Sequence, residues 1–327
     1  MSAASEVSGV RPARRTRVGF VVGPTAAGKS ALAMAVAERV GAEIINADSR
    51  QFYRGMNIGT AKPSAEDRGR VLHHLVDVRE PNEPLDVAEF GALARASIVS
   101  IAARGRNSLV VGGSGLYLRV IRGGIFQGPP ASPGIRERLA AVAAERGVVY
   151  LHDRLREIDA EAANRIGVND LYRIVRVLEV FELTGEPMSA HQRRHRFADS
   201  DYECLTVGVD VERKKLYERI DRRFDAMVAA GLADEVRALI AAGYSPEKPP
   251  LCTIGYREIA AHLRGEITLG AAIERAKRDS RRLAKRQLTW FRRDNSIVWL
   301  DAERDAIQAL SLFERFFSGD RMIANEL

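Results

Sequence analysis

Cysteine is almost absent from this chain: among 327 residues only Cys204 and Cys252 occur, far apart and in apolar surroundings. Two such residues build neither a disulfide framework nor a thiolate zinc site, and a reducing cytoplasm is the expected compartment. The six histidines, at 73, 74, 152, 191, 195 and 262, lack metal-ligand spacing, so no zinc is expected. Long apolar runs are missing too. No stretch approaches the ~20 continuous apolar residues of a membrane span, so no membrane partner is expected. Residues 1–17, rich in Ser, Ala and Arg, have no apolar core for a signal peptide and are expected to form a disordered tail. Internal repeats are lacking. Hydrophobic residues at 46% and charged residues at 28% are ordinary for a globular protein of one large or two modest domains. The net charge of +7 and a pI near 9.6 are less ordinary and favour a polyanionic partner through long-range attraction.

What the chain does contain is the run Gly23, Pro24, Thr25, Ala26, Ala27, Gly28, Lys29, Ser30, which fits G-x-x-x-x-G-K-[ST] at every fixed position. The apolar run 18–22 precedes it and the helix-like run 31–37 follows, the strand–loop–helix context the motif requires. Gly23 and Gly28 let the backbone curl so that successive N–H groups and the positive end of the helix converge on a phosphate. Lys29 adds a point charge, and Ser30 can offer its hydroxyl to Mg²⁺. Read alone, the loop suggests a nucleoside triphosphate such as ATP; a plain glycine turn is the weaker alternative.

Further strands are expected at 43–48, 73–78, 108–113, 205–211 and 297–300, alternating with helices such as 86–103. This rhythm implies an α/β fold, a P-loop NTPase-like parallel sheet flanked by helices, with ligands at the carboxyl ends of the strands. Residues 49–67 read as a long functional loop. Between Ile135 and Gly185 the periodicity is helical with no strand candidate. The expected division is therefore an α/β core over 18–127 and 201–327, carrying an inserted all-helical lobe over 128–200. Helices are expected at 212–230 and 232–242, with two more reaching Arg293.

Asp48, at the end of the strand after the phosphate loop, faces the same crevice as that loop. There it can orient a nucleophile or accept its proton, although a helix N-cap explains an Asp equally well. A nucleotide hydrolase wants a second carboxylate on a hydrophobic strand for Mg²⁺, and the strand ending Val111, Gly112, Gly113, Ser114 offers none. Gly112 and Gly113 suggest close approach of backbone to ligand, with Ser114 as a small polar contact. From Ala271 to Arg293 nine basic residues (275, 277, 278, 281, 282, 285, 286, 292, 293) stand against Glu274 and Asp279. A solvated amphipathic helix and a phosphate-contacting helix both fit that pattern.

Together these segments resemble the tRNA dimethylallyltransferase family. The matches run in order: the phosphate loop at 23–30, Asp-Ser-Arg-Gln at 48–51, Gly-Thr-Ala-Lys-Pro at 59–63, His-His-Leu at 73–75 and Val-Gly-Gly-Ser-Gly-Leu-Tyr at 111–117. They continue with Asn169, Asp170 and Arg173, Ile-Gly-Tyr-Arg-Glu at 254–258, and Ala-Lys-Arg-Gln-Leu-Thr-Trp-Phe-Arg at 284–292. The resemblance implies transfer of a dimethylallyl group from dimethylallyl diphosphate to N6 of the adenosine just 3′ of the anticodon, releasing diphosphate. The implied partners are dimethylallyl diphosphate and the tRNA anticodon stem-loop, the implied cofactor is Mg²⁺ near Ser30, and a monomer is expected. Asp48 then deprotonates the amine, Lys29 and the loop N–H groups stabilise the leaving diphosphate, Ser114 lies near the adenosine and Arg223 near the diphosphate. Implied tRNA contacts are Asp48, Ser49, Arg50, Gln51 and Ser114; Arg136, Tyr172, Arg173, Ile174, Val175 and Arg176; and Cys252, Thr253, Ile254, Gly255, Tyr256 and Arg257, and the phosphate-contacting reading of the basic helix adds Arg281 and Arg282.

Ser114 and Ser280 stand where the family commonly has Thr, which keeps the hydroxyl. The zinc finger of eukaryotic members is missing, and a bacterial-type enzyme is expected. A P-loop small-molecule kinase is disfavoured by the glycine-ended strand and by the size of the helical lobe. A prenyltransferase of free adenine nucleotides needs neither the lobe nor the basic helix, and a non-catalytic RNA-binding module leaves the phosphate loop unexplained.

Overall fold

The computed structural model describes residues 15–124, 128–195 and 201–320. The strands are β1 (Thr16–Val22), β2 (Ala42–Asn46), β3 (His73–His74), β4 (Asn107–Gly112), β5 (Tyr202–Asp210) and β6 (Ile297–Asp301). They form one all-parallel sheet in the order β3-β2-β4-β1-β5-β6. Strands buried on both faces need covering helices on each. Before the helical stretch these are α1 (Lys29–Val40), α2 (Ala65–Arg70), α3 (Val87–Ala103) and α4 (Gly115–Gly123).

Next come α5 (Pro133–Arg146), α6 (Val148–Ile158), α7 (Ala160–Arg165), α8 (Leu171–Thr184) and α9 (Met188–His195). Beyond β5 follow α10 (Arg213–Ala229), α11 (Leu232–Ala241), α12 (Tyr256–Leu263), α13 (Leu269–Phe291) and α14 (Ala306–Ser318). The described residues of Met1–Arg122 and Asp201–Leu327 form one compact unit, and those of Gly123–Ser200 a second. The first carries two apolar clusters, one on each face of the sheet; the second has its own, built on Leu139, Leu151, Leu155 and Ile174.

Four local outcomes differ from the sequence expectation. Thr16 and Arg17 are not tail: they pair with Tyr202 and Glu203 in the sheet, while residues 1–14 lie outside the described ones. The strand expected over 73–78 stops at His74, because Leu75 (φ 60°) and Asp77 (φ 57°) turn the backbone left-handed. Residues 49–67 are not all loop: Ser64 caps α2 in a reciprocal capping box with Asp67. Helix α14 was not foreseen. It buries Leu312, Phe313 and Phe316 against α1 and the sheet, each fully buried apolar side chain contributing about 1.5–3 kcal/mol. No helix among the described residues is long and apolar enough to cross a membrane.

Candidate active site

The phosphate loop leaves β1 at Gly23, whose φ of 145° only glycine adopts easily. Gly28 (φ 102°) caps α1 with no side-chain bond, so the first-turn N–H groups of α1 are free for an anion. Lys29 Nζ donates to the Pro24 carbonyl at 2.7 Å, folding the side chain back over the loop. Lys29 keeps some surface open to solvent, yet protein surrounds its ammonium. Loss of water lowers its pKa to about 8; the Asp48 carboxylate pulls upward and the Arg223 cation downward.

Asp48 sits two residues past β2. Its N–H donates to Asn46 Oδ1 at 3.0 Å, and the buried Asn46 amide in turn donates to the Leu75 carbonyl at 2.9 Å. Asp48 Oδ1 accepts from the Arg50 N–H at 2.9 Å. This is a turn with no helix following it, so the N-cap alternative is not realised. Arg223, from α10, faces the same crevice. Burial lowers its pKa and Asp48 raises it, and no ion pair holds it among the described residues.

Two cavities meet here. One, of about 650 Å³, is lined by Asp48, Ser114, Arg223, Ile254, Arg282 and Arg286 among others. The other, of about 410 Å³, is lined by Lys29, Ser30, Asp48, Lys62 and Arg223 among others. Thr25, Asp48, Gly113, Arg223 and Gln287 belong to both walls. The glycines after β4 approach protein: a Cβ at Gly112 would lie 2.4 Å from the Ala47 carbonyl, and one at Gly113 would lie 2.4 Å from Gln287 Nε2. Both glycines also line the smaller cavity, and Gly113 the larger.

The larger cavity gathers Ser49, Arg50, Cys252, Thr253 and Arg257 beside Asp48 and Ser114, and the smaller takes Gln51. Other foreseen contacts are engaged within the protein. Tyr256 is fully buried; its hydroxyl donates to Glu235 Oε1 at 2.6 Å, and burial and the Glu235 charge raise its pKa. Gly255 is buried and gives its N–H to Glu258. Arg281 is bound to Asp221 at 2.6 Å, and Arg282 to Asp279 at 3.2 Å. In the second unit the side chains of Ile174 and Val175 pack in the core, whereas Tyr172 is 77% exposed beside the exposed Arg173. Arg136 and Arg176 both bind the fully buried Glu179. Burial pushes that carboxyl up, but the hydrogen bonds from Arg136, Arg176 and the Ser132 N–H win and hold it at about 2.

Sequence reasoning missed the residues that hold the site. Asn46 fixes Asp48 from the strand end. Glu235 accepts the N–H groups of Asn57, Ile58 and Gly59, and the buried Lys62 pairs with Asp77, so the loop carrying the Gly-Thr-Ala-Lys run is pinned beside both cavities. Gln287 lay inside a matched run, but nothing in it singled out the amide.

The IPP transferase family model matches residues 51–294, and the isopentenyl transferase model matches residues 16–79. The chain is 50% identical over 287 residues to a tRNA dimethylallyltransferase of Geobacter metallireducens, covering 88% of this chain and 93% of that protein. To the tRNA dimethylallyltransferase of Geobacter sulfurreducens it is 46% identical over 305 residues, 93% of this chain and 97% of the other. Among solved structures, the full-length tRNA isopentenylpyrophosphate transferase of Bacillus halodurans superposes with a TM-score of 0.69 at 39% identity, covering 93% and 96% of the two chains. A eukaryotic dimethylallyltransferase acting on tRNA superposes with a TM-score of 0.81 at 24% identity over 95% and 82%, a likeness that bears on the fold alone.

Proposed function

The chain belongs to the IPP transferase family of prenyl-transferring enzymes, and from that premise we propose that it moves a dimethylallyl group from dimethylallyl diphosphate onto tRNA, at N6 of the adenosine 3′ of the anticodon. One observation carries the reading. The uncapped N-terminus of α1, Lys29 and Arg223 converge on one crevice with the Asp48 carboxylate, and among the described residues neither cation forms an ion pair. Such a set suits charge that appears during reaction better than charge that is permanent.

In the proposed chemistry N6 attacks C1 of the donor, the C1–O bond breaks, and diphosphate leaves with the bonding electrons. Asp48 takes the N6 proton. Its Oδ1 is held by the Arg50 N–H, which leaves Oδ2 for the amine. Lys29, Arg223 and the loop N–H groups receive the charge growing on diphosphate. Ser114 lies on the same wall as Asp48, in place to contact the adenosine. Because N6 is inaccessible in a stacked loop, the base must be turned out into the larger cavity, where Arg50, Arg257, Arg282 and Arg286 line the wall.

No cluster of three His, Cys, Asp or Glu among the described residues could hold a metal by itself. The Ser30 hydroxyl, a hard oxygen donor on the wall of the smaller cavity, would hold Mg²⁺, which would supply positive charge to offset that of the leaving group. The enzyme is proposed to work as a cytoplasmic monomer.

The deciding experiment incubates the protein with labelled dimethylallyl diphosphate, unmodified tRNA and Mg²⁺, with labelled ATP in a parallel reaction. Label transferred to tRNA from the prenyl donor alone is expected. Phosphate transfer from ATP without prenylation would instead establish the kinase alternative.

A further inference from the structure

Gln287 belongs to α13, the helix that carries Arg282 and Arg286 to the wall of the larger cavity. Its own side chain reaches the phosphate loop. Oε1 accepts from the Thr25 N–H at 2.9 Å, and Nε2 donates to the Gly113 carbonyl at 3.0 Å. One amide thus ties the loop after β1 to the end of β4. The fit is close, since a Cβ at Gly113 would come within 2.4 Å of Nε2. Packing does not explain the residue, because Ala284, Leu288 and Phe291 on the same helix supply the apolar contacts. An amide with a fixed donor on one segment and a fixed acceptor on another is satisfied by only one placement of α13 against the loop. Thr25 adjoins Pro24, whose carbonyl accepts from Lys29 Nζ, so a shift at Thr25 reaches the diphosphate-binding ammonium within one residue.

We infer that Gln287 is a positioning residue that couples the two substrates. RNA phosphates drawn to Arg282 and Arg286 bias the placement of α13, and Gln287 passes that bias to the Thr25 edge of the diphosphate cradle. The inference rests on the dimethylallyl-transfer reading above. Reciprocity then requires that the donor tighten RNA binding by the same factor by which RNA tightens donor binding.

The test uses the full chain and two variants. Gln287→Met keeps length and removes both hydrogen bonds; Gln287→Glu keeps an acceptor for Thr25 but sets a carboxylate oxygen against the Gly113 carbonyl. The affinity of an unreactive thio-analogue of dimethylallyl diphosphate is measured with and without saturating unmodified tRNA, at one salt concentration, alongside thermal unfolding. In the unsubstituted protein, tRNA is expected to tighten the analogue by about tenfold. In Gln287→Met that ratio falls to near one, and in Gln287→Glu it falls at least part of the way. A ratio preserved in Gln287→Met overturns the inference, as does a ratio of one in the unsubstituted protein. Parallel loss of both affinities and of thermal stability with the ratio intact also overturns it, leaving Gln287 a packing residue. Failure of the unsubstituted protein to bind tRNA or the analogue at all is a separate result: it overturns the parent reading, and the inference with it.

Discussion

Glu179 and Asp48 each draw two cationic side chains, and the two clusters end in opposite states. Around Glu179 every interaction is closed: Arg136 binds both carboxylate oxygens, at 2.8 and 2.9 Å, Arg176 reaches Oε2 at 2.6 Å, and the Ser132 N–H takes Oε1 at 2.7 Å. Around Asp48 they are open. Among the described residues a single N–H, that of Arg50, is bound to the carboxylate, Lys29 donates to a backbone carbonyl, and burial lowers the pKa of both Lys29 and Arg223. The first arrangement converts burial of charge into a fixed geometry. The second leaves cations short of water and of counter-ions, the condition under which an anionic ligand gains most from binding.

The comparison breaks first at Asp48. Asp48→Asn keeps the shape and the Arg50 contact but cannot accept a proton at neutral pH. Single-turnover prenyl transfer is expected to fall by about 10²–10⁴-fold while tRNA binding survives; an unchanged rate would remove Asp48 as the base. The mirror experiment is Glu179→Gln, which leaves Arg136 and Arg176 without their shared charge. Both guanidinium groups are about one-third exposed, so the expected cost is about 2–3 kcal/mol of stability in the second unit, short of the full penalty of a buried pair. Differential scanning calorimetry reads it, and an unmoved transition would mean that the closed cluster stores no stability.

Legibility followed the same division. The phosphate loop could be read because its demands fall on contiguous backbone, with glycine at φ 145° and 102°, and Asp48 because strand ends in a parallel sheet share one crevice. The parts that hold these groups in place act across long sequence separations. Gln287 binds Thr25 from 262 residues away and Gly113 from 174, and no local spacing encodes that. The count of cations on α13 could be read, but not which of them are neutralised: Arg281 meets Asp221, and Lys277 meets Asp225, both acids supplied by α10. Helix α14 was legible in retrospect through Leu312, Phe313 and Phe316 at helical spacing. The early end of β3 was not, since neither Leu75 nor Asp77 advertises a positive φ.

Two smaller effects sharpen the contrast. The first is the pH dependence of diphosphate binding. In the empty site Lys29 has a pKa of about 8; bound diphosphate supplies the missing counter-charge and raises it. A group whose pKa rises on binding contributes fully below its free-state value, and that contribution is lost as pH climbs through it. The Lys29 contribution to diphosphate affinity, measured by titration calorimetry as the difference between the unsubstituted protein and Lys29→Met, is therefore expected to be flat below about pH 7 and to fall by up to roughly tenfold per pH unit above about pH 8, with proton uptake on binding across that window. Lys29→Met should abolish the uptake. A fall beginning near pH 10 would place Lys29 in ordinary solvent and erase its difference from the closed cluster.

The smallest effect concerns the basic helix, where open and closed cations lie side by side. Arg281 is held by both oxygens of Asp221 and lies outside the cavity wall, whereas Arg286 lines the larger cavity with no ion pair among the described residues; Arg282, on the same wall, is 66% exposed but paired with Asp279. Each cation that neutralises an RNA phosphate releases counter-ions and adds about 0.7–0.9 to the slope of log affinity against log salt. Arg286→Gln is thus expected to lower that slope by somewhat less than one unit and to weaken tRNA binding most at low salt, with a smaller change for Arg282→Gln, whose charge is shared with Asp279. Arg281→Gln should leave the slope unchanged, because its charge is already matched within the protein. Equal slopes for all three variants would mean that ion pairing in the free enzyme does not sort RNA-binding cations from structural ones, and the distinction drawn between Glu179 and Asp48 could not then be carried over to α13.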